Sequence, residues 1–141
     1  MSEKEIERIL EQNRVIAIVG LSRDRDKPSY RVAEYMKSQG YQIIPVNPFV
    51  DEVLGEKSYK SLLEMPEEIQ RTIEVVDIFR RAEDVLTIVE QAVQLKEKNG
   101  KPYVIWMQLG IVNEEAAEAA RKSGLIVIMD KCIMVEHDHI R

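Results

Sequence analysis

The stretch VIAIVGLSRDRDKPS, from Val15 to Ser29, decides how this chain is expected to fold. It opens with five apolar residues, and a continuous run rich in β-branched side chains is typical of a strand buried on both faces of a parallel sheet. Gly20 then permits a tight turn, and a charged loop leads into a helix near Pro28. Strand, glycine, loop and helix in this order commonly hold a phosphate group, because the first N–H groups of a helix favour an anion.

The rest of the chain alternates strands and helices in the same way. Buried-type runs predict further strands over YQIIPV, TIEVVDIF, YVIWMQ and LIVIM, with helices between them. Pro45 disfavours a central, well-paired place for the second strand. We therefore predict an α/β fold: a Rossmann-like, doubly wound, mainly parallel sheet of about five strands with helices on both faces, in a single domain over residues 1–141.

Shorter signals predict details around this sheet. Ser2 and Glu5 form a capping box at the start of a helix that runs to Gln12, and Asn113 caps the helix NEEAAEAARKSG. A short edge strand is expected near Val53. The two histidines of the terminal segment DKCIMVEHDHIR are expected to lie in a solvated tail.

The composition limits the classes of function. The 141 residues carry a formal net charge of −5, which argues against a nucleic-acid partner, since the phosphate backbone is held by clustered Lys and Arg. No apolar run reaches the roughly 18 residues of a membrane span, and the charged N-terminus lacks the apolar region of a secretory signal. Cys132 is the only cysteine, so no disulfide forms within the chain. We expect a cytoplasmic protein without membrane or nucleic-acid partners.

The candidate site residues follow the strands, because doubly wound sheets bind ligands beyond the carboxyl ends of their strands. After the first strand, Gly20, Ser22, Arg23 and Lys27 could seat a phosphate or pyrophosphate, although such a charged loop is also a common solvated surface. The later strands supply further candidates, each with an ordinary alternative as a turn, core or surface residue: Asn47, Pro48, Phe79, Arg80, Gln108, Gly110 and Cys132.

A nicotinamide dinucleotide is a poor fit to these candidates. The first loop has one glycine where a dinucleotide site normally has three. Asn47 stands about where that site would carry Asp or Glu, roughly 20 or more residues past the glycine turn. An amide does not supply the acidic acceptor for two ribose hydroxyl groups, so NAD is disfavoured.

Taken in order, the motifs VGLS, KPS, VNP, DIFR, WMQLGI and DKC resemble those of small single-domain coenzyme A-binding proteins. The chain is similar to the CoA-binding domain of the succinyl-CoA synthetase α subunit and of ADP-forming acyl-CoA synthetases, from about Val15 to Val135. No single motif is specific, and the ordered set carries the resemblance. It implies a coenzyme A or acyl-CoA ligand at the carboxyl ends of the strands.

The resemblance also implies a place for each part of coenzyme A. Gly20, Ser22, Arg23 and Lys27 would meet the phosphates, although this loop has fewer glycines than that of the larger synthetases. Asn47 and Pro48 would border the adenosine, and Phe79 and Arg80 would lie near the nucleotide. Gln108 and Gly110 would line the pantetheine arm, and Cys132 would lie near its thiol. The domain that carries the phosphorylated histidine of the synthetases is absent here, so ligase chemistry is not implied.

Other functions stay open at this stage. Asp77 and Lys131 fit a receiver domain in part, but no acidic residues directly follow the first strand; Asp77 is otherwise expected to cap or turn the chain. Cys132 fits a thiol-dependent redox protein, or a metal site together with Glu136, His137 and His139. No catalytic triad, carboxylate pair or Walker loop is visible, so a non-catalytic module is favoured. A mixed disulfide between Cys132 and the CoA thiol is a further hypothesis.

Overall fold

The computed structural model describes residues 1–141, which form seven strands and six α-helices. The strands are β1 (Val15–Val19), β2 (Gln42–Val46), β3 (Glu52–Val53), β4 (Glu56–Lys57), β5 (Val75–Ile78), β6 (Val104–Met107) and β7 (Ile126–Ile128). The helices are α1 (Glu3–Gln12), α2 (Pro28–Ser38), α3 (Glu67–Gln70), α4 (Val85–Asn99), α5 (Glu114–Lys122) and α6 (Ile133–Ile140). Short 3₁₀ turns at Leu62–Glu64 and Ala82–Asp84 complete the chain.

Five strands form one parallel sheet in the order β2-β1-β5-β6-β7. Parallel neighbours require crossover connections, and these place helices on both faces of the sheet. Strand order reverses between β1 and β5, because the chain first winds outward to β2 and then crosses back to β5. This confirms the predicted Rossmann-like α/β fold, and it puts a ligand crevice beyond the carboxyl ends of these strands.

Successive residues of the central strands face two separate apolar layers. In β1, Ala17 and Val19 pack in the layer that contains α4 and α5, whereas Ile16 and Ile18 pack in the layer that contains α1, α2 and α6. Both sets are buried, which explains why the strand is apolar throughout and does not alternate. The carboxyl end of β1 is therefore held rigidly from both sides.

Local details agree with most of the predictions. Pro45 lies in β2, the outermost strand, as its missing N–H requires. Ser2 caps α1 by accepting a hydrogen bond from the Glu5 N–H, and Asn113 caps α5 by accepting one from the Ala116 N–H. Val53 is in a strand as predicted, but that strand pairs only with β4 in a small antiparallel hairpin and does not join the main sheet.

The prediction of a solvated terminal tail is wrong for the segment as a whole and for His137, whereas His139 is exposed as predicted. The tail forms α6, which begins after Cys132 and buries Ile133 completely against the layer of α1 and α2. His137 lies on the inner side of this helix, with its Nδ1 atom 2.8 Å from the Tyr35 hydroxyl group. The apolar and aromatic surface offered by α1 and α2 provides the packing that a short isolated helix lacks in water.

Candidate functional site

Gly20 lies where the carboxyl ends of β1, β2 and β5 meet. Its N–H donates to the Val46 carbonyl oxygen at 2.8 Å, and beside it the Phe79 N–H donates to the Val19 carbonyl oxygen at 2.8 Å. Gly20 has a φ of +88°, and a Cβ atom here would approach the Phe79 carbonyl oxygen to 2.5 Å. The glycine is therefore required by the backbone itself, so any larger residue here would disturb the junction of three strands.

The loop after Gly20 is organised by its own short side chains. The Ser22 N–H donates to Ser29 Oγ at 3.0 Å, the Asp24 N–H donates to Ser22 Oγ at 3.0 Å, and the Asp26 N–H donates to Asp24 Oδ1 at 2.9 Å. These bonds order the loop in the absence of a ligand. The entropic cost of ordering the loop on binding is therefore lower.

Positive charge on this loop is not neutralised by ion pairs. Arg23, Arg25 and Lys27 are exposed, and none of them makes a salt bridge. Lys27 is also the N-cap residue of α2, which has no side-chain cap and no acidic residue in its first turn. Pro28 has no N–H, and the Tyr30 N–H donates to the Lys27 carbonyl oxygen. The attraction for an anion therefore comes from the positive end of the helix dipole together with the Lys27 ammonium group.

Two cavities adjoin the Gly20 turn. The first, of about 250 Å³, lies at the start of α2 and is lined by Gly20, Ser22, Lys27, Pro28, Ser29 and Phe79. The second, of about 370 Å³, lies toward α4 and combines four predicted residues, Gly20, Asn47, Pro48 and Arg80, with residues that include Phe49, Lys60, Ser61, Thr87 and Gln91. Gly20 is common to both, so one elongated ligand could extend over the turn from one cavity into the other.

Asn47 has a structural task in addition to its place in the second cavity. Its Nδ2 group donates to the Leu21 carbonyl oxygen at 2.9 Å, and its Oδ1 atom accepts from the Phe49 N–H at 2.9 Å. The side chain thus ties the loop after β2 to the loop after β1. Its amide is engaged on both sides, and it is less available to a ligand than the sequence suggested.

Two predicted residues follow β5. Phe79 is half-buried and packs against the apolar layer of α1, α2 and α6, while also lining the first cavity. Arg80 lines the second cavity, where its Nη2 atom lies 3.0 Å from Asp84 Oδ2. The charge of Arg80 is therefore largely compensated by a neighbour four residues away.

Gln108 and Asp77 form a buried pair that the sequence did not indicate. Gln108 is 3% exposed, and its Nε2 group donates to Asp77 Oδ1 at 2.6 Å. Asp77 lies inside β5, where it is fully buried and its second oxygen has no partner; it neither caps a helix nor forms a turn. Burial raises the pKa of Asp77 to about 8. The pair braces β5 against β6, and the Gln108 side chain is not exposed to solvent.

The last two predicted residues lie on loops beyond β6 and β7. The Gly110 N–H donates to Asp130 Oδ1 at 2.7 Å, which joins the two loops. Trp106 Nε1 donates to the Lys131 carbonyl oxygen at 2.8 Å, which fixes the backbone just before Cys132. Cys132 is the half-buried N-cap residue of α6 and its thiol is free. Neither Gly110 nor Cys132 lines the two cavities at Gly20.

The largest cavity of the molecule is elsewhere, at the opposite end of the sheet. Its volume is about 660 Å³, and it is lined by residues of α1 and by Glu74, Tyr103 and Ile126, near the amino ends of the strands. Because ligands of doubly wound sheets bind at the carboxyl ends, the smaller cavities at Gly20 are the better candidates. No three Asp, Glu, His or Cys side chains gather closely enough to hold a metal ion, and no helix has the length and apolarity needed to cross a membrane.

The sequence of the chain matches the family described as "CoA binding domain" over residues 14–138. The chain belongs to the CoA-binding domain family. This membership confirms the resemblance found from the ordered motifs, since the match covers all of the strands and the loops beyond them.

Relatives of two different sizes are similar to this chain. The uncharacterised protein YneT of Bacillus subtilis strain 168 is 42% identical over 136 residues, covering 96% of this chain and 94% of that protein. The α subunit of the ADP-forming acetate–CoA ligase II of Pyrococcus furiosus is 32% identical over 135 residues, covering 89% of this chain but only 28% of the ligase subunit. The chain is thus similar to nearly the whole of one protein and to a part of a longer ligase subunit.

Solved structures of similar size have the same fold. A hypothetical protein from Pyrococcus horikoshii OT3 has a TM-score of 0.89 and 35% identity, covering 99% of this chain and 92% of its own. A protein of Thermus thermophilus, called cell-free ID.343, has a TM-score of 0.88 and 31% identity, covering both chains completely.

Proposed function

We propose that this protein binds coenzyme A or an acyl-CoA across the Gly20 turn and acts as a non-catalytic CoA-binding module. The observation that carries the proposal is the pair of cavities that share Gly20, next to uncompensated cations, in a chain of the CoA-binding domain family. The first cavity has the helix N-terminus and the Lys27 charge that a pyrophosphate requires.

The rest of the ligand is assigned by continuity with this pyrophosphate seat. In this proposal, Ser22 and Arg23 assist Lys27 at the phosphates, and the adenosine enters the second cavity beside Asn47, Pro48 and Arg80. Phe79 separates the two halves, and the pantetheine arm leaves past the loops that carry Gly110 and Cys132. Gln108 does not contact the ligand in this proposal; it acts indirectly, because its hydrogen bond to Asp77 joins β6 to β5 beneath the site.

The first test is a comparison of ligands by isothermal titration calorimetry. CoA should bind more tightly than ADP, because ADP lacks the arm, and both should bind in preference to NAD. Binding of NAD as tight as that of CoA would overturn the proposal. Mass spectrometry of the small molecules released from the purified protein gives an independent check on the ligand.

The second test removes the charge at the start of α2. Lys27→Ala should weaken CoA binding by about 1.5–3 kcal/mol, because a charge-assisted hydrogen bond to phosphate is lost. Lys4→Ala is the matched control, since Lys4 is also an exposed lysine, on α1, and lines neither cavity at Gly20. Unchanged CoA affinity in Lys27→Ala would mean that this charged loop is only a solvated surface and does not bind the phosphates. Gly20 variants are unsuitable, since any side chain there strikes the Phe79 backbone.

A finer part of the proposal concerns the thiol of CoA. Cys132 is free and lies at the amino end of α6, on the loop beyond β7. Thiol–disulfide exchange between Cys132 and oxidised CoA, a disulfide, would form a Cys132–CoA mixed disulfide and release one molecule of CoA thiol. Intact-protein mass spectrometry after incubation with CoA disulfide should show a gain of one CoA that DTT reverses and Cys132→Ser prevents. No adduct in a protein that still binds CoA would remove this redox role.

The proposal does not include the ligase reaction of the larger relatives. The chain spans 28% of the ligase subunit that it matches, so the reaction of that enzyme is not carried over to this chain. A cytoplasmic location stays a prediction from the sequence.

A further inference from the structure

We propose that Lys60 binds the 3′-phosphate on the ribose of coenzyme A, so that the second cavity selects CoA over dephospho-CoA. This inference rests on the proposed function and names the group that the second cavity recognises. No motif of the sequence pointed to Lys60, which lies in the irregular segment between β4 and α3 and is brought to the cavity only by the fold.

The first argument comes from the charges that line the cavity. Three charged side chains line it: Lys60, Arg80 and Asp84. Arg80 is paired with Asp84 at 3.0 Å, and Asp84 also lies 3.5 Å from Arg81 Nε. Lys60 makes no salt bridge and no side-chain hydrogen bond. It is therefore the one uncompensated charge of the cavity, and it attracts an anion.

The second argument comes from what the cavity lacks. A ribose that carries two free hydroxyl groups is usually held by a free carboxylate. The only carboxylate here, Asp84, is already occupied by two arginines. A ribose with a phosphate in place of one hydroxyl group needs a cation instead of that carboxylate, and Lys60 provides one. The lining thus suits a phosphorylated ribose better than a plain one.

The third argument comes from size and from the neutral groups. About 370 Å³ is at the lower end of the range for small-molecule sites, which fits a nucleoside rather than a whole cofactor. Ser61, Thr87 and Gln91 offer neutral hydrogen-bonding groups to the base and the sugar. Phe49, at the rim, is 85% exposed, and its open ring face is available to stack on an adenine.

The test compares CoA with dephospho-CoA, which differs only by the 3′-phosphate, on the whole protein. The wild-type protein should bind CoA at least tenfold more tightly. Lys60→Ala should weaken CoA binding roughly ten- to hundredfold and leave dephospho-CoA binding unchanged, so that the preference disappears. Lys60→Arg should keep the preference, because the cation is retained. Lys57→Ala is the matched control: it is an exposed lysine three residues away that does not line this cavity, and it should behave as the wild type.

Each outcome separates this inference from the proposed function. Equal affinity of the wild-type protein for the two ligands, or a preference that persists in Lys60→Ala, would overturn the role of Lys60 while CoA binding stands. Failure of the wild-type protein to bind either ligand would overturn both. Because Lys60 is exposed and unpaired, the melting temperatures of both Lys60 variants should match that of the wild type, which excludes loss of folding as the cause.

Discussion

Asp77 lies in β5, in the middle of the sheet, with no exposed surface, and the only hydrogen bond to its carboxyl group comes from Gln108 Nε2. Burial penalises the charged form, and the bond from Gln108 offsets this only in part, so the pKa of Asp77 is raised to about 8. In the unfolded chain the pKa returns to about 3.9. Between these values the folded protein binds one proton more than the unfolded chain does.

The sign of this difference leads to a prediction. Because the folded state holds the extra proton, the contribution of Asp77 to the free energy of unfolding is fully present below about pH 4 and is lost as the pH rises to about 8. Asp77→Asn imitates the neutral acid and cannot ionise. We expect urea unfolding to show that the stability of the wild-type protein falls between pH 5 and pH 8. The stability of the Asp77→Asn variant should fall less steeply, with a slope smaller by up to about 1.4 kcal/mol per pH unit.

The control for Asp77 is an exposed residue of the same type. Asp51→Asn changes a solvated carboxylate and should leave the pH dependence of stability as in the wild type. If Asp77→Asn keeps the full pH dependence, the Asp77 carboxyl is not the buried proton carrier. The sequence could not have revealed this group, since DIF reads as an ordinary strand end, and only the pairing of β5 with β1 and β6 shows that Asp77 is enclosed.

At the scale of elements, α6 depends on distant residues. His137 sits with its ring centroid 5.5 Å from those of Tyr35 and Tyr41, and the Arg14 guanidinium lies 3.9 Å from the centre of the Tyr41 ring. Burial lowers the pKa of His137, helped by Arg14 and Arg141 and opposed by Asp138. The neutral imidazole is thus the form that the folded helix accepts, and the contribution of His137 to stability is lost as the pH falls below about 6.5.

Removing one hydroxyl group tests this contact. Tyr35→Phe should lower the free energy of local unfolding of α6 by about 0.5–1.5 kcal/mol, because the hydrogen bond to His137 Nδ1 is lost. Hydrogen exchange should then be faster for the amides of Ile133–Ile140 and unchanged for those of β5. Tyr103→Phe is the control, since the Tyr103 hydroxyl group makes no hydrogen bond. Equal protection of α6 in both variants would mean that the hydroxyl contact does not hold the helix.

A comparison of α6 with the other helices and the strands shows which features a sequence can and cannot predict. The caps of α1 and α5 were predictable because Ser2 and Asn113 bond to amides only three residues away. The five strands of the main sheet were predictable because both faces are buried, which leaves an unbroken apolar run. The docking of α6 was not, since His137 meets Tyr35 across 102 positions of the chain. Lys60 and Thr87 were missed in the candidate site for the same reason: the fold alone brings them to one cavity.

At the scale of the whole molecule, α1 belongs to the core although it precedes the family match at residue 14. Leu10 is 1% exposed and packs in the same layer as Trp106. Leu10→Ala should lower the free energy of unfolding by about 2–5 kcal/mol, with far-UV circular dichroism and Trp106 fluorescence changing together. Leu109→Ala is the control, since Leu109 is 71% exposed. Separate transitions for the two probes would contradict a single domain over residues 1–141.

The edges of the sheet give the molecule a further property. The outer edge of β2 could expose backbone N–H and carbonyl groups that pair with a strand of another molecule. At Pro45, however, the carbonyl oxygen accepts a hydrogen bond from the Tyr59 N–H at 3.1 Å. Within a strand, the N–H and the carbonyl group of one residue point to the same side, so the missing N–H of Pro45 is missing from this exposed edge. The opposite edge, β7, is only three residues long. Neither edge is a good template for adding strands, so the folded protein should resist edge-to-edge aggregation even at high concentration.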